Sequence, residues 1–291
     1  MSWLVCHIVS GDAFISGLLF VAAGLALIWL RRTNACQLCG RVLIVAGWLL
    51  TIAGLEPRHP FLLSAAVCAA WAFIVSLRPL QSEERPDLRS NSDSRKITSR
   101  FGILMIALIL MSSFTRHKPI DLWKSNEPIH IIGDSLSAGI DAGEGEPWPE
   151  RLAAILDSEV VSHAEAGATA KSAIQQAEQL PADSFVIVEI GGNDLLGGRS
   201  ATEFEQDLDQ LLTKVCSDGR RVVMFELPLP PFYIRFGEAQ QKLAKEHGVT
   251  LIPRRVLARV LFSDAATLDS IHLSETGHRR LAEETAARLR H

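Results

Sequence analysis

A serine, a histidine and an aspartate in this sequence have the types and spacing that nucleophilic catalysis requires. Ser135 follows the apolar run 129–132 and a Gly-Asp turn, so it is expected where a buried strand ends. Asp269 and His272 are close enough in sequence to meet on one loop, before a helix that starts near Glu275. A serine hydroxyl becomes a good nucleophile only when a base takes its proton and a third group orients that base. We therefore take Ser135 as the candidate nucleophile, His272 as the base and Asp269 as the orienting acid.

Acyl transfer also requires donors that stabilise negative charge on the carbonyl oxygen. Asn193 follows the apolar run 185–190 and a Gly-Gly turn, which lets the backbone approach a ligand closely. The backbone N–H of Ser135 is a second candidate donor, and Gly167, in a small-residue turn after a predicted strand, is a third. An Asn in such a turn also fits a local role, in which it only satisfies the backbone of its own loop. The functional interpretation of Asn193 therefore depends on the other residues meeting it at one site.

Four sequence blocks, taken in this order, resemble the SGNH (GDSL-type) esterase/lipase family. The blocks are Gly133-Asp-Ser-Leu-Ser-Ala-Gly139, Gly167-Ala-Thr169, Gly191-Gly-Asn-Asp194 and Asp269-Ser-Ile-His-Leu273. The resemblance implies that Ser135 is the nucleophile and that Asp269 and His272 are the acid and base of a triad. It also implies that the N–H of Gly167 and the side chain of Asn193 complete the oxyanion hole with the N–H of Ser135.

The resemblance covers residues 126–291 and can be placed within the family. The first block, followed by Trp148-Pro149, looks most like the thioesterase I/lysophospholipase L1 and arylesterase branch. Ser162 departs from the pattern, because the family commonly has an Asn five residues before the Gly of the second block. The implied fold is a flavodoxin-like three-layer α/β/α sandwich with a central parallel sheet, and the implied chemistry needs no metal or cofactor.

The hydrophobic pattern after residue 128 alternates short apolar runs with amphipathic segments, which is typical of a parallel α/β sheet. Strands are predicted at 128–132, 159–163, 185–190, 220–226 and 249–253. Helices are predicted at 149–157, 170–180, 202–216, 236–247 and 275–290. Asp134 is expected to be a turn and hydrogen-bonding residue, and His130 and His163, on predicted strands, are expected to be structural.

The N-terminal part of the chain has a different composition. The mean hydropathy of +0.18 arises almost entirely before residue 116, in four apolar runs. These runs predict a membrane region over 1–115 with about four transmembrane helices, at 13–30, 42–55, 61–77 and 101–114. The second and fourth runs are short for a span, so each also fits a re-entrant or interfacial helix. A tether at 116–127 would then precede the hydrolase domain at 128–291.

Basic residues in the short loops predict the orientation of this region. The loops 31–41 and 78–100 carry nine Lys or Arg residues, whereas 56–60 has only Arg58 and 1–12 has none. The catalytic domain is therefore expected on the extracytoplasmic side of the membrane, although Arg116, Lys118 and Lys124 argue weakly the other way. A net charge of −4 and a pI near 6.1 give no reason to expect a nucleic-acid partner.

Cys36 and Cys39 have the spacing of half a zinc site or of a redox pair, but a second ligand pair is missing. We interpret them as part of a polar loop that follows the first apolar run.

Three function classes remain open. The first is a membrane-anchored serine hydrolase acting on carboxylic esters, of short-chain acyl, acetylated-glycan or lysophospholipid type. The second is an O-acyltransferase that passes an acyl group to envelope glycans. The third is a non-catalytic SGNH domain that binds a glycan or lipid. The set Ser135, Asn193, Asp269 and His272 favours an enzyme.

Overall fold

The computed structural model describes residues 2–30, 34–53, 123–124, 127–139, 145–263, 265–268 and 272–289. Most of the predicted tether, the apolar runs 61–77 and 101–114, and Asp269 lie outside the described residues. The chain divides into two compact units, one formed by Met1–Ser10 with Pro119–His291 and the other by Gly11–Lys118.

The larger unit is built on a five-stranded parallel sheet. The strands are β1 (Ile129–Gly133), β2 (Val160–Ser162), β3 (Phe185–Glu189), β4 (Arg221–Phe225) and β5 (Thr250–Ile252). Their spatial order is β2-β1-β3-β4-β5. This is the flavodoxin-like order, in which the chain reverses direction across the sheet between β1 and β3. The five predicted strands are confirmed. β1, β3 and most of β4 are buried, and buried parallel strands have the apolar runs that predicted them.

Helices cover both faces of this sheet. The short helix α1 (Ser2–Val9) also belongs to this unit. The next two helices, α2 and α3, belong to the smaller unit and are described below, so the helices on the sheet are numbered from α4 onward. They are α4 (Ser135–Ala138), α5 (Trp148–Leu156), α6 (Ala173–Gln176), α7 (Gly192–Leu196), α8 (Ala201–Val215), α9 (Ile234–Glu246), α10 (Arg255–Leu261) and α11 (Glu275–Leu289). The predicted helices at 149–157, 202–216, 236–247 and 275–290 are confirmed to within two residues at each end. The predicted helix 170–180 is instead the single turn α6 followed by a 3₁₀ turn at Ala177–Gln179.

Two apolar cores lie on the two faces of the sheet. On one face, Trp148 of α5 packs edge-on against Phe225 of β4, with ring centroids 6.1 Å apart. On the other, Phe204 of α8 stacks with Phe236 of α9 at 4.9 Å. Neighbouring residues of a strand point to opposite faces, so each buried strand contributes to both cores. The predicted three-layer arrangement around a parallel sheet is confirmed.

The smaller unit is described only over two helices, α2 (Asp12–Leu30) and α3 (Asn34–Ala53). These helices pack through glycines: a Cβ on Gly17 would lie 2.5 Å from the carbonyl oxygen of Gly47, and one on Gly24 would lie 2.5 Å from that of Gly40. Only glycine permits so close an approach of two backbones.

The run predicted at 13–30 corresponds to α2, and the run at 42–55 lies largely in α3. Within the described ranges, no single helix is both long and apolar enough to cross a membrane; Trp3–Val9 and Asp12–Leu27 meet that requirement only when they are counted together.

The interpretation of Cys36 and Cys39 as loop residues was wrong, because α3 begins at Asn34 and both lie on it.

Candidate active site

Ser135 lies at the carboxyl end of β1, at the start of the short helix α4. Asp134 caps this helix, since its Oδ1 accepts a hydrogen bond from the Leu136 backbone N–H at 3.0 Å. The strand end is clamped by Gln176, whose buried amide accepts from the Gly133 N–H and donates to the Gly133 carbonyl, both at 3.0 Å. A Cβ on Gly133 would lie 2.5 Å from the side chain of Ser137, so glycine is required where the strand turns into the helix. Ser135 is thereby held in a fixed turn, with 8% of its surface exposed.

Asn193 reaches the same edge of the sheet from β3. The chain leaves β3 through Gly191, whose φ of 116° is a left-handed conformation that favours glycine. A Cβ there would lie 2.9 Å from Leu227 and 3.0 Å from Phe204, so the turn packs directly against the core. α7 then begins at Gly192 and places the half-buried Asn193 on its first turn.

The side-chain amide of Asn193 connects two other parts of the site. Its Nδ2 donates to the carbonyl oxygen of Ala168 at 3.0 Å and to Oδ2 of Asp134 at 3.2 Å. The first bond ties Asn193 to the turn after β2 that contains Gly167. The second ties it to the residue that precedes Ser135. The structure therefore joins the loops of Ser135, Asn193 and Gly167. Their shared role in an oxyanion hole stays a prediction.

Gly167 lies in an exposed turn with a φ of +78°, and a Cβ there would meet no atom within 4 Å. The glycine is thus required by the backbone conformation and leaves open space beside the turn. Its role as an oxyanion donor stays a prediction. Ser162, at the position where the family commonly has Asn, lies at the exposed end of β2. Its Oγ accepts from the Ala164 N–H at 3.4 Å and donates to the Ser137 carbonyl of α4 at 3.5 Å.

His272 lies just before α11, on a loop that folds back on itself. The Leu268 N–H donates to the His272 carbonyl at 2.9 Å, and the Ser274 N–H donates to the Ala266 carbonyl at 2.8 Å. A Cβ on Gly277 would lie 2.1 Å from the Ala266 carbonyl oxygen, so α11 begins in direct backbone contact with this loop. Burial raises the pKa of Asp134 to about 6, and the charge of the half-buried His272 acts against that rise. The role of His272 as the base stays a prediction, and Asp269 lies outside the described residues.

Two buried carboxyl groups support this arrangement and had no role assigned from the sequence. Asp194 is fully buried beside Asn193, where its Oδ2 accepts from the Ala170 N–H at 2.9 Å and its Oδ1 lies 3.7 Å from Nε of Arg199. Burial raises the pKa of Asp194. Glu189, at the end of β3, is also buried and accepts a hydrogen bond from Ser137 Oγ at 2.8 Å. The signal available for Glu189 was a charged residue inside the otherwise apolar run 185–190.

His130 and His163 interact with each other. His130 Nδ1 and His163 Nε2 lie 3.1 Å apart and their rings stack, which fits the structural role expected for both. Across the described ranges, no group of three or more His, Cys, Asp or Glu side chains is placed to hold a metal ion. The chemistry available at this edge is that of a serine, a histidine and amide donors.

A parallel α/β sheet with these residues at the carboxyl end of its central strands defines the class of protein, an open-sheet α/β enzyme. Residues 131–280, just over half of the chain, match the model of the GDSL-like lipase/acylhydrolase family. The chain therefore belongs to this family of ester-cleaving hydrolases.

Individual relatives agree with that assignment. The chain is similar to thioesterase 1/protease 1/lysophospholipase L1 of Escherichia coli (strain K12), with 35% identity over 136 residues, which are 42% of this chain and 64% of the relative. It is 28% identical over 143 residues to the arylesterase of Vibrio mimicus, covering 45% of this chain and 72% of the relative. The crystal structure of the psychrotrophic esterase EstA from Pseudoalteromonas sp. is similar over 57% of this chain and 97% of that chain, with 23% identity and a TM-score of 0.50, which supports the fold.

Proposed function

We propose that this chain is a membrane-anchored serine hydrolase that cleaves carboxylic esters or thioesters through an acyl-enzyme on Ser135. The observation that carries the proposal is the pair of hydrogen bonds from the Asn193 amide, one to Asp134, the residue before Ser135, and one to Ala168 in the Gly167 turn. Three loops from distant parts of the sequence are thereby joined at one edge of the sheet. A turn residue alone would have no need of the other two.

The proposed reaction has two half-reactions. His272 takes the proton of Ser135 Oγ while Oγ attacks the acyl carbon, and Asp269 orients the imidazole and stabilises its charge. The carbonyl oxygen becomes an oxyanion, bound by the N–H groups of Ser135 and Gly167 and by the side chain of Asn193. Collapse of the intermediate breaks the ester bond, and the leaving alcohol or thiol takes the proton from His272. A water molecule then attacks the acyl-enzyme by the same route, releasing the carboxylic acid and restoring Ser135.

The substrate class follows from the family and from the relatives' names. The Escherichia coli relative is named as a thioesterase and lysophospholipase, and the Vibrio mimicus relative as an arylesterase. These names share the cleavage of an acyl bond. We therefore propose carboxylic esters as substrates, of short-chain acyl, acetylated-glycan or lysophospholipid type.

The surface of the helix pair α2 and α3 is the basis for the proposed membrane anchor. The two helices meet through Gly17, Gly24 and Gly47, and small residues at such contacts are enriched between helices in membranes. Large apolar side chains instead face outward on both helices: Leu19, Phe20, Leu38, Val42, Val45, Leu49 and Ile52. Exposed apolar surface around a tight glycine contact is the arrangement that lipid favours and water disfavours. The side of the membrane is proposed from the loop charges of the sequence alone, which favour a catalytic domain outside the cytoplasm.

The test is product analysis with the detergent-solubilised full chain. p-Nitrophenyl acetate should release nitrophenol and free acetate in equal amounts, and Ser135→Ala should release neither above the rate in buffer. Acetate that appears on an added sugar acceptor instead of in solution would replace the hydrolase by an acyltransferase. Equal rates for the two proteins would remove Ser135 from the reaction.

A further inference from the structure

Two carboxyl groups are buried at the ends of the adjacent strands β1 and β3, one of them next to Ser135 in the chain, and the proposed triad uses neither. Asp134 follows β1 and is 3% exposed, and Glu189 ends β3 and is 2% exposed. Gly133 and Glu189 are paired in register between the two strands, so the carboxyl groups come from adjacent strand ends. Burial of two acids side by side is costly unless a proton or a cation neutralises one of them.

Their position points to a shared proton. Asp134 follows Gly133, which is paired with Glu189, so the two carboxyl groups are buried at adjacent strand ends. Two carboxylates buried side by side do not both stay ionised without a cation, so one of the two groups carries a proton that it can donate to the other. Glu189 also accepts from Ser137 Oγ at 2.8 Å, and Asp134 accepts from the Leu136 N–H and from the Asn193 amide.

The surrounding charges favour the proton on Glu189. Burial, followed by the charge of Asp134, raises the pKa of Glu189 well above its ordinary value. Burial raises the pKa of Asp134 to about 6; the charge of Asp194 on α7 acts in the same direction, and that of His272 acts against it. In the described ranges neither Asp134 nor Glu189 forms a salt bridge with Lys or Arg, while the Asp194 carboxylate lies near Arg199. Near neutral pH, Glu189 is therefore the acid and Asp134 the anion.

This proton matters to Asn193. The side-chain amide has two hydrogens, and both are engaged, by Ala168 and by Asp134. An oxyanion can bind Asn193 only by sharing one of these hydrogens. An Asp134 carboxylate that already receives a proton from Glu189 is the weaker competitor for that hydrogen. If Glu189 ionised, two adjacent negative charges would instead hold the amide more strongly and repel the oxyanion.

We propose that Glu189 is a positioning residue whose carboxylic acid, donated to Asp134, keeps the pair at one negative charge so that Asn193 can share its amide with the oxyanion. The proposal rests on the proposed function for the role of Asn193, but the protonation of Glu189 does not depend on it. Loss of the proton at alkaline pH should lower kcat and leave KM nearly constant. Glu189→Gln supplies an amide in place of the acid proton at every pH, so this alkaline fall in kcat should disappear in it.

The first test is infrared spectroscopy of the full chain at neutral pH without substrate. Wild type should show the carbonyl stretch of a protonated carboxylic acid, and Glu189→Gln should lose that band. The matched control is Glu178→Gln, at an exposed glutamate that pairs with Lys214, which should keep the band. Ser135→Ala should also keep it while losing activity, so a failure of the proposed function leaves a distinct result.

The second test is kinetic. Glu189→Ala should lower kcat on p-nitrophenyl acetate about 100-fold, as the loss of an oxyanion donor does, and Glu189→Gln should recover at least tenfold of that loss. Equal kcat values for the two variants, or an unchanged infrared band in Glu189→Gln, would overturn the proposal. If Glu189→Gln does not fold, the wild-type spectrum decides, because a chain with no protonated carboxyl at neutral pH contradicts the shared proton.

Discussion

Asn193 and Asp134 are joined by a hydrogen bond of 3.2 Å from Nδ2 to Oδ2, across the ends of the two central strands β1 and β3. The bond fixes the amide beside the residue that precedes the candidate nucleophile. A Cβ on Gly192 would lie 3.4 Å from the same Asp134 oxygen, an ordinary contact, so Gly192 packs directly beside this bond. The site is thus formed by two loops, one that follows β1 and one that follows β3, and the bond between them positions both.

Asn193→Ala tests whether this amide stabilises the oxyanion. Loss of one such donor typically lowers kcat by about 10²–10³-fold, because the interaction is made mainly in the transition state. We expect a fall of that size in kcat on p-nitrophenyl acetate, with KM changed far less and the thermal midpoint retained within a few degrees. A change confined to KM would mean that Asn193 only binds substrate.

The acyl-chain preference tests how deep the cleft is. The segment 140–147, whose residues 140–144 lie outside the described residues, is the longest candidate flap and is acidic and Gly-rich. Each buried methylene contributes about 0.8 kcal/mol only where an apolar wall receives it. We therefore expect the highest kcat/KM for acetyl to hexanoyl esters, measured with p-nitrophenyl esters of two to sixteen carbons. A steady rise through twelve or more carbons would favour a long apolar cleft and a lysophospholipase activity.

The orientation in the membrane is tested by reporter fusions after His291. The basic loops 31–41 and 78–100 predict that this end lies outside the cytoplasm. A reporter that is active only in an oxidising compartment should therefore give signal, and one that is active only in the cytoplasm should not. The reverse pattern would overturn both the number of spans and the proposed localisation.

The pH dependence of stability tests the packing of α11 against α5. His278 is buried, and its Nδ1 accepts a hydrogen bond from the Trp148 backbone N–H at 3.2 Å. Burial, and then the charge of Arg151, lowers the pKa of His278 to about 4. The unfolded chain binds this proton more readily than the folded chain does. Neutral His278 therefore adds at most about 3 kcal/mol to the free energy of unfolding above about pH 6.5, and this contribution is lost as the pH falls toward 4.

His278→Asn keeps an acceptor for Trp148 but does not titrate. The difference in thermal midpoint between wild type and His278→Asn should therefore shift in favour of the variant as the pH is lowered from 7 to 4.5. Parallel curves over this range would show that His278 is not held neutral.

The strands and most helices were predictable because their signals are local. β1 and β3 are continuous apolar runs, and the longer amphipathic helices show a clear period with ordinary caps. α10 was missed because it is short and begins at Arg254-Arg255, where the local sequence suggests a loop. Arg255 is nevertheless buried, which only the tertiary packing decides.

The candidate site was also only partly predictable from the sequence. Ser135 and Asn193 were identified from turn-forming sequence around them, and a hydrogen bond joins their loops at one edge of the sheet. The roles of His272 and Asp269 stay predictions. Glu189 and Asp194 were not assigned roles, because whether a carboxyl group is solvated or buried depends on how the strand ends approach one another. The start of α3 was missed for a related reason: Cys36-Gln-Leu-Cys39 is polar for an apolar helix, and only packing against α2 shows that it is helical.

The measurement that tests the account most directly is mass spectrometry of the full chain after reaction with a fluorophosphonate probe. The account predicts one adduct, on the peptide that contains Ser135, and none in Ser135→Ala with the same thermal midpoint within a few degrees. Labelling of Ser135→Ala to the extent of wild type, or an adduct on another peptide, would contradict it.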